Sequence, residues 1–403
     1  MTKKWLLISP VIFLFILGGY FLFIQPATLP APTGPYAVGR SDFFWTDLNR
    51  REPHEQAQHE HRIVPVSLYY PAMPPKDQQR IPYSPLVIEK ITTYINTQFH
   101  IPKILLKPLQ DLKTHSYKEA PQALHKQKLP LIIFSHGLTG SPNSYSNLIE
   151  HLASHGYIVA AITHAYASED ITLSDGAILK HSINLEGQRY PLKKAIREFE
   201  QELWTGDVRF LLDELEKMQL EATTTILAAI DLNKIGIIGH SFGGSTATQS
   251  CRLDRRFKAG INMDGGLNGP NFLAPFNTPF MLLLAEKASE KSTPEALAKR
   301  GYNSLDELKD SQLDYETGMK LLFDALIGDK FCITLQGAQH NTFSDDPVIS
   351  KSSLLLKLCT LRETTPFSLL TNNYTLQFFD QYLKGKRSAL LAGIEGQQLT
   401  IPK

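Results

Sequence analysis

The chemistry in this chain starts with a serine held between glycines. Lys234-Ile235-Gly236-Ile237-Ile238-Gly239-His240-Ser241-Phe242-Gly243-Gly244 carries the pattern Gly-x-Ser-x-Gly directly after an apolar run, and Ser245-Thr246-Ala247-Thr248-Gln249 continues with helical character. A nucleophile on a strand-to-helix turn is strained, so its neighbours must be small, and Gly239 and Gly243 supply that room. The turn lifts the Ser241 hydroxyl to a helix N-terminus, where developing negative charge is favoured. A serine hydroxyl still needs a base. His340 is the only histidine after Ser241, and it follows the apolar run Phe331–Leu335 on the small-residue turn Gln336-Gly337-Ala338-Gln339.

The base in turn needs a carboxylate. Asp264 ends the apolar run Ala259–Met263 and precedes Gly265-Gly266, so it belongs at a strand's C-terminal edge. Glu286, just after Phe280–Leu284, is the rival. Asp345 and Asp346 lie too close to His340 in sequence to be first choices. An oxyanion requires two aimed N–H donors. Phe242, next after the nucleophile, is one candidate. Leu138, in the loop Ser135-His136-Gly137-Leu138-Thr139-Gly140 after the run Leu131–Phe134, is the other. His136 reads as a residue that orients this loop. No HExxH or calcium loop occurs, and His54, His59 and His61 sit in a polar stretch that reads as solvated loop, so no metal and no cofactor are expected.

The elements that must position these groups alternate. Leu131–Phe134, Tyr157–Ile162, Ile235–Ile238, Ala259–Met263, Phe280–Leu284 and Phe331–Leu335 are short apolar runs of the kind buried parallel strands require. Between them lie helical patterns, at Ser144–Ser154 and over 192–220. This βαβ alternation predicts an α/β fold, a mostly parallel sheet with helices on both faces. With the order serine, acid, histidine it predicts the α/β-hydrolase fold. Residues 36–80 read as β-structure, with Arg62–Tyr70 a strand. Two insertions are expected, near 84–128 and 286–328. In the first, Leu86, Val87, Ile88, Ile91, Tyr94, Ile95 and Phe99 recur at helical spacing with lysines between them, which suits a cap packed on the body or, alternatively, a surface that meets lipid.

The N-terminus reads differently. Lys3 and Lys4 precede an uncharged run from Trp5 to Ile24, about 30 Å as a helix and enough to span a hydrocarbon core. The run is longer than a usual signal-peptide core and lacks a clean cleavage site. It is therefore read as an uncleaved signal-anchor over 1–24, with residues 25–35 a Pro-rich linker and 36–403 the catalytic domain. The lysine pair places that domain on the exported side, periplasmic or extracellular. Among 403 residues, Lys+Arg 41 against Asp+Glu 40 leaves no basic surplus for a nucleic-acid partner. Cys251, Cys332 and Cys359 form no CxxC pair. They read as buried thiols, with a Cys332–Cys359 bridge open if the domain is exported.

At several of these places the chain resembles the plasma-type platelet-activating-factor acetylhydrolases, the group VII phospholipases A2. The resemblance lies in Pro32–Gly39, Ser67–Pro71, Phe134–Leu138, Leu152–Ala161, Ile238–Gly244, Gly260–Asp264 and Gly337–Phe343. It implies Ser241 as nucleophile, His340 as base, Asp264 over Glu286 as acid, and Leu138 and Phe242 as oxyanion donors. It also implies calcium-independent release of short sn-2 acyl chains from phospholipids, with residues 84–112 as the surface that sits on lipid. Because one fold hosts many esterases, a general short-chain carboxylesterase of the dienelactone or polyester-hydrolase type is the alternative. A membrane-tethered binding protein without catalysis is a remote third.

Overall fold

The computed structural model describes residues 27–401 except 58, 125–126, 186–187, 222–224, 270–273, 287–292, 295–296, 299–301 and 350–366. Among the described residues one sheet has eleven strands. In chain order these are β1 (Ala37–Arg51), β2 (His61–Ala72), β3 (Arg80–Pro82), β4 (Lys113–Lys118), β5 (Leu129–Ser135), β6 (Ile158–Ile162), β7 (Ile230–His240), β8 (Phe257–Met263), β9 (Phe280–Ala285), β10 (Lys330–Leu335) and β11 (Gln398–Ile401). Their spatial order is β11-β10-β9-β8-β7-β5-β6-β2-β1-β4-β3. From β6 to β11 every neighbouring pair is parallel, while β2 runs antiparallel to both β6 and β1.

The long helices are α1 (Pro85–Phe99), α2 (Ser146–Ser154), α3 (Tyr190–Glu221), α4 (Phe242–Leu253), α5 (Leu305–Ala325) and α6 (Phe367–Lys384). The parallel strands are apolar on both sides because both sides are covered. Ile133 and Ile237 face a core with Leu211, Leu212 and Leu215 of α3. Ile132, Phe134 and Ile238 face another with Leu152 of α2 and Phe378 and Phe379 of α6. Each such side chain, fully buried, contributes roughly 1.5–3 kcal/mol.

The 84–112 insertion is a packed cap. Ser84 caps α1 by accepting from Val87 N–H, Pro85 opens the helix, and His100 ends it in the left-handed region. Val87, Ile88, Ile91 and Ile95 turn inward and join Leu106, Leu109, Val348 and Ile349 in a satellite core, while Leu86, Tyr94 and Ile104 stay exposed. That core also takes in Ala27 and Leu29. The first part of the expected linker is thus laid onto the body, where the His115 ring meets the Leu29 carbonyl at 3.0 Å. The second insertion contains α5, and most of 287–301 lies outside the described residues. So do the apolar run Trp5–Ile24 and Cys359, and Cys251 and Cys332 are buried free thiols. Among the described residues no helix is long and apolar enough to cross a membrane.

Candidate active site

Parallel register brings the chemistry to one edge. His240 at the end of β7 pairs with Met263 at the end of β8, and Met263 pairs with Leu283 of β9. Just beyond those pairs the ladder still holds the backbone: Ser241 N–H donates to Met263 O and Asp264 N–H donates to Leu283 O, each at 2.9 Å. Ser241 and Asp264 therefore stand side by side at the C-terminal edge, the layer in which α/β sheets present their reactive groups.

Both residues turn sharply there. Ser241 has φ 56° and ψ −118°, and Asp264 has φ 50°. A non-glycine residue at such φ stores on the order of 1–3 kcal/mol, and only tight surroundings keep it there. At Ser241 those surroundings are glycines. A Cβ on Gly239 would run into the Gly243 carbonyl, and one on Gly243 would run into the Ser135 carbonyl.

His340 arrives from β10 by a different route. It opens a 3-10 turn, His340–Phe343, that begins with a reciprocal Gln339–Thr342 capping box. The approach turn carries Gly337 at φ 82°, and its N–H donates to Glu286 Oε2 at 2.7 Å. Beyond the turn, Asp345 is buried, accepting from Tyr83 Oη at 2.9 Å and from Asn147 N–H at 3.1 Å. These bonds leave the ring directed at the sheet edge. His340 Nδ1–H donates to Asp264 Oδ2 at 2.6 Å, and Ser241 Oγ lies 2.9 Å from His340 Nε2. Ser241, His340 and Asp264 thus form one hydrogen-bonded chain. Glu286, the rival acid, grips the backbone of the histidine loop instead, and Asp345 faces the cap.

Burial alone would raise the Asp264 carboxyl, but the hydrogen bond and charge of His340 and the Ala285 N–H, 3.1 Å away, hold it below the ordinary aspartate value. It stays an anion and can hold imidazolium. The His340 side chain is 51% exposed, so substrate and water can reach it.

Leu138 and Phe242 pack together in a small cluster with Trp204. Neither backbone N–H donates to an acceptor among the described residues. The loop that carries Leu138 is pressed against the nucleophile, since a Cβ on Gly137 would lie 3.4 Å from Ser241 Cβ. His136 is buried behind this loop. Its Nδ1–H donates to Gly137 O at 2.7 Å and its Nε2 accepts from His164 N–H at 3.1 Å. Burial and the nearby His164 push it down to about 3, so it remains neutral.

A second serine–histidine–aspartate chain lies deeper. Ser135 Oγ is 3.0 Å from His164 Nε2, and His164 Nδ1–H donates to Asp207 Oδ2 at 2.9 Å. All three residues are fully buried. Asp207 also accepts two bonds from Arg62, at 2.8 and 3.0 Å, and one from Arg50 at 2.9 Å. The ion cluster continues through Glu52 to His54, whose Nε2 reaches Glu200 at 2.9 Å. This corrects the expectation of a solvated His54. Its side chain is 9% exposed because Glu200 of α3, distant in sequence, folds over the loop that carries it.

The platelet-activating factor acetylhydrolase, isoform II, family model matches residues 22–218 and 212–389, most of the chain. The chain belongs to this family. Among the relatives of this acetylhydrolase-family chain, the platelet-activating factor acetylhydrolase of Cavia porcellus is 29% identical over 260 residues, covering 59% of this chain and 55% of that protein. The Gallus gallus protein of the same name is 22% identical over 396 residues, covering 89% and 84%. The matched part spans little more than half the length of the Cavia porcellus protein. A solved ferulic acid esterase from Streptomyces cinnamoneus superposes with a TM-score of 0.62 at 24% identity, over 91% of this chain and 96% of that one. That likeness supports the α/β fold.

Proposed function

We propose that the chain is a serine carboxylester hydrolase that removes a short sn-2 acyl chain from phospholipids. The observation that carries this reading is the chain Ser241 Oγ to His340 Nε2 to Asp264, exposed at the sheet edge in a member of the acetylhydrolase family. Ser241 Oγ attacks the ester carbonyl while His340 Nε2 takes its proton. Asp264 steadies the imidazolium that forms. The Leu138 and Phe242 N–H groups stabilise the tetrahedral oxyanion, each worth roughly 3–4 kcal/mol at a dry site. Collapse returns the proton to the departing lysophospholipid oxygen and leaves acyl-Ser241. Water, deprotonated by His340, then releases the acid.

A groove of about 970 Å³ between α1 and residues 168–185 begins at Thr139, one residue past Leu138, and is lined in part by Leu86, Tyr94 and Ile183. It offers space beside the oxyanion loop for the bulk of a lipid.

The test uses the full chain in mild detergent with EDTA present, and measures acetate release from a 2-acetyl phospholipid against fatty-acid release from a long-chain one. Acetyl release that survives EDTA and disappears in Ser241→Ala is expected. Hydrolysis of only a soluble ester would instead favour the general carboxylesterase.

The run Trp5–Ile24 behind Lys3 and Lys4 is part of the same proposal, as an anchor that leaves the catalytic domain on the exported side. Exposed Leu86, Tyr94 and Ile104 of the cap are its second lipid contact. Alkaline carbonate extraction should leave the chain with the membrane. Its release into the supernatant overturns the anchor.

A further inference from the structure

His240 is the last residue of β7, directly before the nucleophile, and is 3% exposed. Its Nε2 lies 2.9 Å from the backbone carbonyl of His340. A carbonyl only accepts, so that nitrogen carries the proton. Nδ1 is therefore a bare acceptor, and it takes the proton of Tyr145 Oη, 2.7 Å away. The same hydroxyl oxygen accepts from Gly137 N–H at 3.2 Å. Three bonds with one consistent set of proton positions thus run from the N–H of Gly137, the residue before Leu138, to the carbonyl of His340. The rings add contact: His240 lies 4.7 Å from the His340 ring and 5.6 Å from Tyr145, centroid to centroid.

We infer that His240 and Tyr145 are positioning residues, which hold the oxyanion loop and the catalytic base in one fixed register about Ser241. This rests on the serine-hydrolase reading and deepens it. Burial and the neighbouring His340 charge press His240 down to about 3. It therefore stays neutral beside the imidazolium that forms on His340, and burial keeps the Tyr145 phenol protonated. Neither residue touches the reacting atoms. Their effect is on where the Leu138 N–H and the His340 ring stand when charge develops, and small misplacements there are costly.

Three variants separate the two ends of the relay, with p-nitrophenyl acetate as substrate and a trifluoromethyl ketone that adds to Ser241 as transition-state mimic. Tyr145→Phe removes the bond to Gly137. His240→Gln, whose terminal amide overlays Nε2, keeps the His340 bond and loses the Tyr145 bond. Both should lower kcat about ten- to hundredfold with KM within about twofold, and ketone affinity should fall in step. His240→Asn overlays Nδ1 and keeps the Tyr145 bond. It should retain ketone affinity within about threefold while kcat drops about tenfold and the proton resonance of His340 Nδ1–H shifts. If Tyr145→Phe fails to fold, His240→Gln tests the same link. Folded variants that stay within about twofold of wild type in kcat and ketone affinity overturn the inference. So does a loss of kcat that ketone affinity does not follow in Tyr145→Phe or His240→Gln. A wild-type chain silent toward both ester and ketone overturns the serine-hydrolase reading and this inference together.

Discussion

Among the described residues two serine–histidine–aspartate chains have nearly the same geometry, and only one of them is placed where an ester could reach it. In Ser241–His340–Asp264 the two contacts are 2.9 and 2.6 Å, and in Ser135–His164–Asp207 they are 3.0 and 2.9 Å. Distance does not separate them. Surroundings do. His340 is half exposed, its serine is forced outward by a positive φ, and its aspartate meets no arginine within hydrogen-bond distance among the described residues. His164 is fully buried and stacked on Trp204 at 3.8 Å, its serine is the buried last residue of β5, and its aspartate is bound by Arg62 and Arg50. The inner histidine is pushed down to about 4 by burial, although Asp207 pulls the other way. It cannot readily take a proton at neutral pH. One chain is arranged to move a proton, and the other to hold α3 against the sheet.

The largest effects should fall on the outer chain. Ser241→Ala should reduce turnover on the order of a millionfold and Asp264→Asn on the order of ten-thousand-fold, with the unfolding midpoint nearly unchanged. Ser135→Ala should leave kcat within about threefold, because its oxygen meets no substrate. Comparable losses from Ser135→Ala and Ser241→Ala in the same ester assay would erase the distinction.

Stability should show the opposite order. Asp207→Asn leaves the buried Arg62 guanidinium with Glu52 as its one remaining carboxylate among the described residues, a change that costs up to about 3–5 kcal/mol. Urea unfolding should detect this, with activity per folded molecule nearly intact.

Glu286→Gln sharpens the contrast within the outer site. It weakens the acceptor for Gly337 N–H but leaves Asp264 on His340, so the rate should fall less than about tenfold. A loss matching that of Asp264→Asn would make Glu286 the functional acid.

The smallest effect is a pH dependence at the rim of the inner cluster. Burial alone would lower His54, but the hydrogen bonds and charges of Glu200 and Glu52 raise it to about 9. A raised histidine lends stability that is complete below the unfolded value near 6.5 and is lost as pH climbs through the folded value. Unfolding midpoints should therefore decline between about pH 6.5 and 9. Glu200→Gln should flatten that decline, and an unchanged slope would remove His54 from the cluster's charge balance.

How much of this could be read along the chain follows from how local each signal is. The strands β5 to β10 and the helices between them announce themselves by apolar runs and helical spacing, because a two-sided parallel sheet leaves no polar face to confuse the pattern. Ser241 is marked by its own glycines and His340 by being the sole histidine after it. Asp264 and Glu286 were harder to separate, since both follow an apolar strand. Only the bond from Gly337 N–H to Glu286 shows how the second is occupied. The buried cluster left no local mark. Arg62 and Asp207 are 145 residues apart, and His54 and Glu200 are 146 apart. Each looks like an ordinary charged residue until the sheet and α3 close over it.

By itself, then, the sequence determined the α/β alternation, the strained serine turn and the order serine, acid, histidine, because those depend on neighbours within a few residues. The tertiary structure decided which of two aspartate–histidine pairs meets solvent, and which carboxylate reaches His340. It also decided that His240 and Tyr145 join the oxyanion loop to the base. Hydrogen-bond direction and desolvation depend on what packs against a group from the far side of the chain, and no local pattern encodes that.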